Sequence, residues 1–275
     1  MPISQKTVAS SECTFSEWEI DPLQKGMLVE IVAYLYLRQE ENAQRVISRI
    51  ATRKVEPFGN VVANVINKLE VFSSADSSKT PEQIKNSRIH RDGLLFQHIS
   101  WVVTRLSVPN GVMTSPHVRQ ADKGFDGFVL ELDQKKEKVE SIIISEDKAS
   151  ANPRGLITSK VWPELKQIID GDRDDEILAE LVTLLKGVGG VSTESAIGRV
   201  VWEEARRFRV CVATGENIRD SVTGSFEKLM NGFSDTVSGA MSSRTGGVLA
   251  FNDVRDGLDE FARAVVKKVK EINGV

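Results

Sequence analysis

The chain has 275 residues, 40% hydrophobic and 27% charged, enough for one large domain or two small ones around a real core. A formal net charge of -3 excludes a protein that holds nucleic acid by overall basicity, so any such grip is local or supplied by a partner. The longest apolar run, IVAYLYL, is far short of the ~18 residues of a membrane span. The N-terminus also lacks the basic-then-apolar order of a secretory signal. Cys13 and Cys211 stand far apart, without partners at metal spacing, and read as reduced thiols. The expectation is a cytoplasmic protein with no membrane partner.

In chain order, the first seventy residues read as helical. Leu28, Ile31, Val32, Leu35, Val46, Ile47 and Ile50 fall at helical spacings, and so do Val61, Val62, Val65, Ile66 and Leu69 after a break at Pro57 and Gly59. Ser73 to Gln83 is small, polar and proline-containing, which predicts a linker. A helix is predicted over Asn86 to Leu106, with Ile89, Leu94, Leu95, Ile99, Val102, Val103 and Leu106 on its apolar face. Strands follow at Gly127 to Leu132 and Val139 to Ser145, with a further strand around GVMTSPHVRQ. Helices are expected at Ser159 to Asp170, Glu176 to Lys186 and Glu194 to Arg206. RFRVCVATG reads as a buried strand, Ser234 to Gly247 as loop, and Asp256 to Ile272 as an amphipathic closing helix. This order predicts a mixed α/β fold, a central mixed sheet flanked by helices. Its expected organisation is an N-terminal helical region over 1–80 and a core over 81–275.

The two middle strands carry the charges of interest. Pairing Phe128 with Ile144 sets Leu130 opposite Ile142, Leu132 opposite Glu140 and Asp126 opposite Glu146, with a loop over Gln134 to Lys138. Because side chains alternate with period two, Asp126, Glu146 and Lys148 then share a face with Phe128, Leu130, Ile142 and Ile144, while Asp147 falls on the other. Two facing carboxylates repel unless a cation lies between them. A hard divalent cation, Mg²⁺ or Mn²⁺, suits such a site, and a neighbouring lysine would orient water or steady charge on a phosphate.

GFDGFVLEL followed by SIIISEDKAS resembles the PD-(D/E)XK, or restriction-endonuclease-like, nuclease superfamily: an acid opening one strand, then (D/E)-x-K closing the next. The resemblance covers about Asn86 to Thr214. It implies a core of helix, three strands, helix and fourth strand. Asp126 and Glu146 would be metal-binding acids, Asp147 would offer its main-chain carbonyl, and Lys148 would be the catalytic lysine. Phe125 stands where the literal motif has proline. Within the superfamily the chain is similar to the nuclease effectors of Hachiman-type bacterial anti-phage defence. That likeness implies DNA as substrate, RNA not being excluded, and a helicase or ATPase partner.

Other features are weaker. KGVGGVSTES and SSRTGGVLAF are glycine-rich without a phosphate-loop lysine and read as plain loops. Lys160, near Glu164, and the arginines Arg199, Arg206, Arg207 and Arg209 are candidates for contacting nucleic acid, or a solvated basic surface. Asp92 is a minor metal candidate. His90, His98 and His117 lack metal spacing, and Trp101, Trp162 and Trp202 read as core. The alternative function is a non-enzymatic helical adaptor that docks a partner, its hairpin charges mere solvent decoration.

Overall fold

The computed structural model describes residues 1–56, 60–71, 80–117, 124–202 and 205–274, the side chains of residues 201 and 202 excepted. Pro57, Gly59, most of the expected linker, the end of GVMTSPHVRQ and the Trp202 side chain therefore lie outside the described residues.

The fold is mixed α/β. Among the described residues seven strands, β1 (Ile3–Val8), β2 (Thr14–Ile20), β3 (Val112–Met113), β4 (Gly127–Leu132), β5 (Val139–Ala149), β6 (Arg206–Gly215) and β7 (Arg244–Phe251), form one sheet in the order β1-β2-β7-β6-β5-β4-β3. β2, β7, β6 and β5 run parallel; β1 is antiparallel to β2, and β3, β4 and β5 form an antiparallel meander. The parallel strands need crossovers, and helices supply them.

One face of the sheet packs under α1 (Lys25–Tyr36), α2 (Glu40–Ile47), α3 (Val61–Leu69), α4 (Pro81–Ser107) and α10 (Val254–Asn273). The other packs under α5 (Pro153–Leu156), α6 (Trp162–Ile169), α7 (Asp174–Leu185), α8 (Thr193–Ile197) and α9 (Phe233–Thr236). The central strands are buried on both sides, which is why RFRVCVATG is apolar almost throughout.

Local chemistry sets the element ends. α4 starts at a capping box: the Thr80 hydroxyl accepts from Gln83 N–H, the Gln83 side chain accepts from Thr80 N–H, and Pro81 sits where no donor is needed. α10 is capped by Asp253 and stopped by Gly274 in the left-handed region at φ 68°. Between α5 and α6 the chain makes a π-helical turn, Ile157–Val161, just before Pro163. Proline has no N–H to continue an α-helical ladder, and the wider turn accommodates that.

Several expectations are corrected. The chain opens with a β-hairpin, not a helix: β1 is an edge strand whose apolar residues sit only at its ends, so it shows little alternation. β2 joins the main sheet through β7, and α1 shares one core with α4 and α10, so the residues before 80 supply both a sheet edge and part of a helical layer. The supposed loop at Ser234 to Gly247 contains all of α9 but its first residue, and the start of β7. Gly246 and Gly247 belong to that strand because Phe15 packs on one side and Trp18 on the other; a Cβ on Gly247 would lie 2.3 Å from Trp18 Cζ2. The helix expected to reach Arg206 stops earlier, and Arg206 already lies in β6.

Candidate metal and phosphate site

The register of the β4–β5 hairpin matches the parity argument where it matters: Phe128 pairs with Ile144 and Leu130 with Ile142. It departs at the far end, where a shift after Glu131 pairs Leu132 with Val139 rather than Glu140. β5 also runs on to Ala149, so the three charges lie inside the strand rather than beyond it. Its parallel pairing with β6, from Ile142 to Ala149, carries it past Ser145.

Asp126 immediately precedes β4, and Glu146 and Lys148 lie in β5. The Lys148 ammonium binds both acids, at 3.1 Å from Asp126 Oδ2 and 2.7 Å from Glu146 Oε2. Asp126 is fixed from two more directions. Its Oδ2 accepts the Asp147 backbone N–H at 2.9 Å, and its Oδ1 accepts from the Gln97 side-chain amide of α4. In a strand, one residue's N–H and C=O face the same neighbour, so the Asp147 carbonyl is turned to the Asp126 side as well.

The Asp147 side chain goes to the opposite face, as parity required. Ser100 Oγ of α4 donates to its Oδ1 at 2.6 Å and accepts from Arg209 Nη1 at 2.8 Å. Arg209 lies 3.5 Å from the same carboxylate oxygen. This buried trio clamps the strand from behind, at the residue whose backbone holds Asp126.

The electrostatics follow from burial and net charge. Two carboxylates share one ammonium, and Glu146 is only 2% exposed. Burial first, then the charge of Asp126, push Glu146 up to about 8, against the pull of Lys148. Burial disfavours the charge on Lys148, but the two acids outweigh it and raise its pKa, so it stays an ammonium. Both shifts express one excess negative charge: a proton that enters the cluster goes to Glu146. Burial raises Asp147 to about 6, with Arg209 opposing.

Glu164 of α6 and Arg173, just before α7, complete the surroundings. The charge of Glu164 raises the pKa of both Glu146 and Lys148. The Arg173 guanidinium lies 4.5 Å over the ring of Phe125, next to Asp126 in sequence. Neither residue was singled out for this role from sequence, nor were Gln97 and Ser100. The latter pair carried a usable signal: in the helical segment LLFQHISWVV, apolar apart from them and His98, two polar residues three apart share a face.

The weaker candidates fall elsewhere. Arg206 and Arg207 pair with Ile142 and Ile143, at the end of β5 away from Glu146. Arg206 bonds the Val200 and Ile168 carbonyls and Asp174, while Arg207 pairs with Glu131. Arg199 donates to the Val139 carbonyl at 2.6 Å, at that same end. Lys160 is exposed on the π-helical turn. Asp92 is buried in ion pairs with Arg91 and Arg255. His90 is exposed, His98 stacks on Tyr36 at 3.9 Å, and His117 bonds the Phe125 carbonyl. Trp101 is buried and Trp162 stacks on Phe233.

The donor set suits a hard cation. Among the described residues no three or more His, Cys, Asp and Glu side chains are grouped to cage an ion. Two carboxylates beside a main-chain carbonyl are instead the sparse oxygen set on which Mg²⁺ keeps most of its waters. No protein-family model matches the chain, and no curated protein is significantly similar to it.

Proposed function

We propose that the protein is a metal-dependent nuclease that hydrolyses DNA phosphodiester bonds, with RNA as the other nucleic acid to be tested. The observation that carries this reading is the convergence of Asp126 and Glu146, from neighbouring strands, on the Lys148 ammonium. The order α4, β3, β4, β5, the helices α5 to α8, then β6 supports it, since resemblance to the PD-(D/E)XK superfamily implies helix, three strands, a helical crossover and a fourth strand. Burial speaks against the helical-adaptor alternative, since solvent decoration does not explain a Glu146 that is 2% exposed.

Asp126 and Glu146, with the Asp147 carbonyl, are the groups that would hold Mg²⁺ or Mn²⁺. When bound, the ion supplies Lewis-acid polarisation of the phosphate and lowers the pKa of a bound water. Lys148 keeps its proton, so it acts as a donor: it orients the attacking water and stabilises negative charge growing on the phosphate oxygens. Gln97 and the Asp147 N–H fix the Asp126 carboxylate, and the Ser100–Asp147–Arg209 trio holds the strand that presents it.

The wider reading is an effector subunit of bacterial anti-phage defence, acting in the cytoplasm with a helicase or ATPase partner. A net charge of -3 fits a chain whose hold on DNA is shared with a partner. Among the described residues no helix is long and apolar enough to cross a membrane.

The test is cleavage of plasmid DNA by the purified chain and by any complex it brings down on affinity purification. Mg²⁺-dependent cleavage is expected, with EDTA abolishing it. Glu146→Ala or Lys148→Ala should each reduce it by about 100-fold or more while circular dichroism stays unchanged. Undiminished cleavage by both folded variants would overturn the assignment.

A further inference from the structure

We infer that Arg173 is the phosphate-binding residue of this site, taking the non-bridging oxygens of the scissile phosphodiester on the side lined by Phe125. The inference rests on the nuclease reading of Asp126, Glu146 and Lys148 and adds to it the group that receives the substrate's charge.

A phosphodiester brings a negative charge to a place already holding Asp126, Glu146 and Glu164. Lys148 is engaged by two of those acids, at 3.1 and 2.7 Å. Arg173 brings a further cation to this face, beside Phe125. Its guanidinium lies 4.5 Å over the ring of Phe125, the residue before Asp126, and after the hydrogen bond it donates to Glu176 the charges of Glu146 and Glu164 also raise its pKa.

The guanidinium is held in position before any substrate arrives. Its Cζ lies 4.5 Å over the ring of buried Phe125, which also packs on Phe128 at 5.9 Å. Its Nε and Nη2 bond the two carboxylate oxygens of Glu176, at 3.2 and 2.5 Å. That uses one edge of a group with five donors. Among the described residues Nη1 has no bond, and the side chain is 16% exposed, so one donor edge can meet an oxyanion.

The backbone beneath it is pinned as well. Gly171, at φ 87°, makes the turn between α6 and α7, Arg173 accepts the Ile177 N–H at 3.2 Å, and Asp174 pairs with Arg206 at 2.8 Å. A preset fork on a fixed turn loses little freedom on binding phosphate.

The alternative is that Arg173 only ties α7 to Phe125, and the experiment separates the two. Fluorescent duplex DNA is titrated with the full chain in Ca²⁺ at several salt concentrations, and cleavage kinetics are measured in Mg²⁺. Arg173→Ala should weaken DNA binding about tenfold. The slope of log affinity against log salt should fall by about one. In cleavage, KM should rise by more than kcat falls. Arg173→Lys should keep the salt slope but bind more weakly than wild type, having lost the fork. If Arg173→Ala does not fold, Arg173→Gln, which keeps the stem over Phe125, carries the same expectation. Unchanged affinity and salt slope in a variant of a wild type that cuts DNA would overturn the role of Arg173 alone. A wild type that neither binds nor cuts DNA would remove the nuclease reading first, and this inference with it.

Discussion

Glu146 sits where burial and the Asp126 charge both favour its protonated form, and that has a consequence for stability. Its pKa in the fold is raised from 4.5 to about 8, so it contributes stability that is full below the unfolded value and lost as pH rises through the folded one. Asp147, raised to about 6, and Asp92, raised by its burial, shift in the same direction, so the Glu146→Gln comparison isolates what Glu146 adds. Without metal, the melting temperature should fall between about pH 6 and about pH 8. Glu146→Gln should flatten the fall, and an equal slope in the variant would contradict the assignment. Parity on an assumed register was enough to expect Asp126, Glu146 and Lys148 together, because period-two alternation is local; their roles came from the superfamily resemblance. Gln97, Ser100 and Glu164 come from helices on both faces and Arg173 from the turn before α7, and their approach depends on packing between distant segments. Arg173 left no trace in the sequence, since a polar turn such as GDRDDE looks like any other.

At the scale of elements, β7 was the strand least visible in the sequence. Its two glycines resemble a loop signal, yet they are there because Phe15 and Trp18 need the space on the two faces. Gly247→Ala puts a methyl against the Trp18 ring and should cost about 1–3 kcal/mol in chemical denaturation. A loss near zero would mean that Trp18 moves freely. The strands that were readable, β4, β5 and β6, are those with an unbroken apolar run or clean alternation. β1 was missed because an edge strand has little to bury. The end of the β4–β5 hairpin was misread because a register shift is a property of the pair, and neither strand reveals it alone.

Across the whole molecule, the site lies where the layers meet. α4 supplies Gln97 and Ser100 from one face, while Glu164 and Arg173 arrive with α6 and α7 on the other. α4 is held in turn by a buried ion network with α10. Asp92, 0% exposed, binds Arg91 and Arg255, and Arg91 also binds Asp259. Removing Asp92 takes one carboxylate from buried Arg91, which keeps Asp259, and takes from Arg255 its partner, so Asp92→Ala should destabilise the fold by about 3 kcal/mol in urea. A loss within measurement error would show that α4 is placed without it. The central claim is that Asp126 and Glu146 form a cation site, and anomalous diffraction from crystals soaked in Mn²⁺ tests it most directly. The account predicts a peak within bonding distance of both carboxylates, absent in Glu146→Gln crystals; no peak there in wild-type crystals, with Lys148 still bridging the two acids, would contradict it.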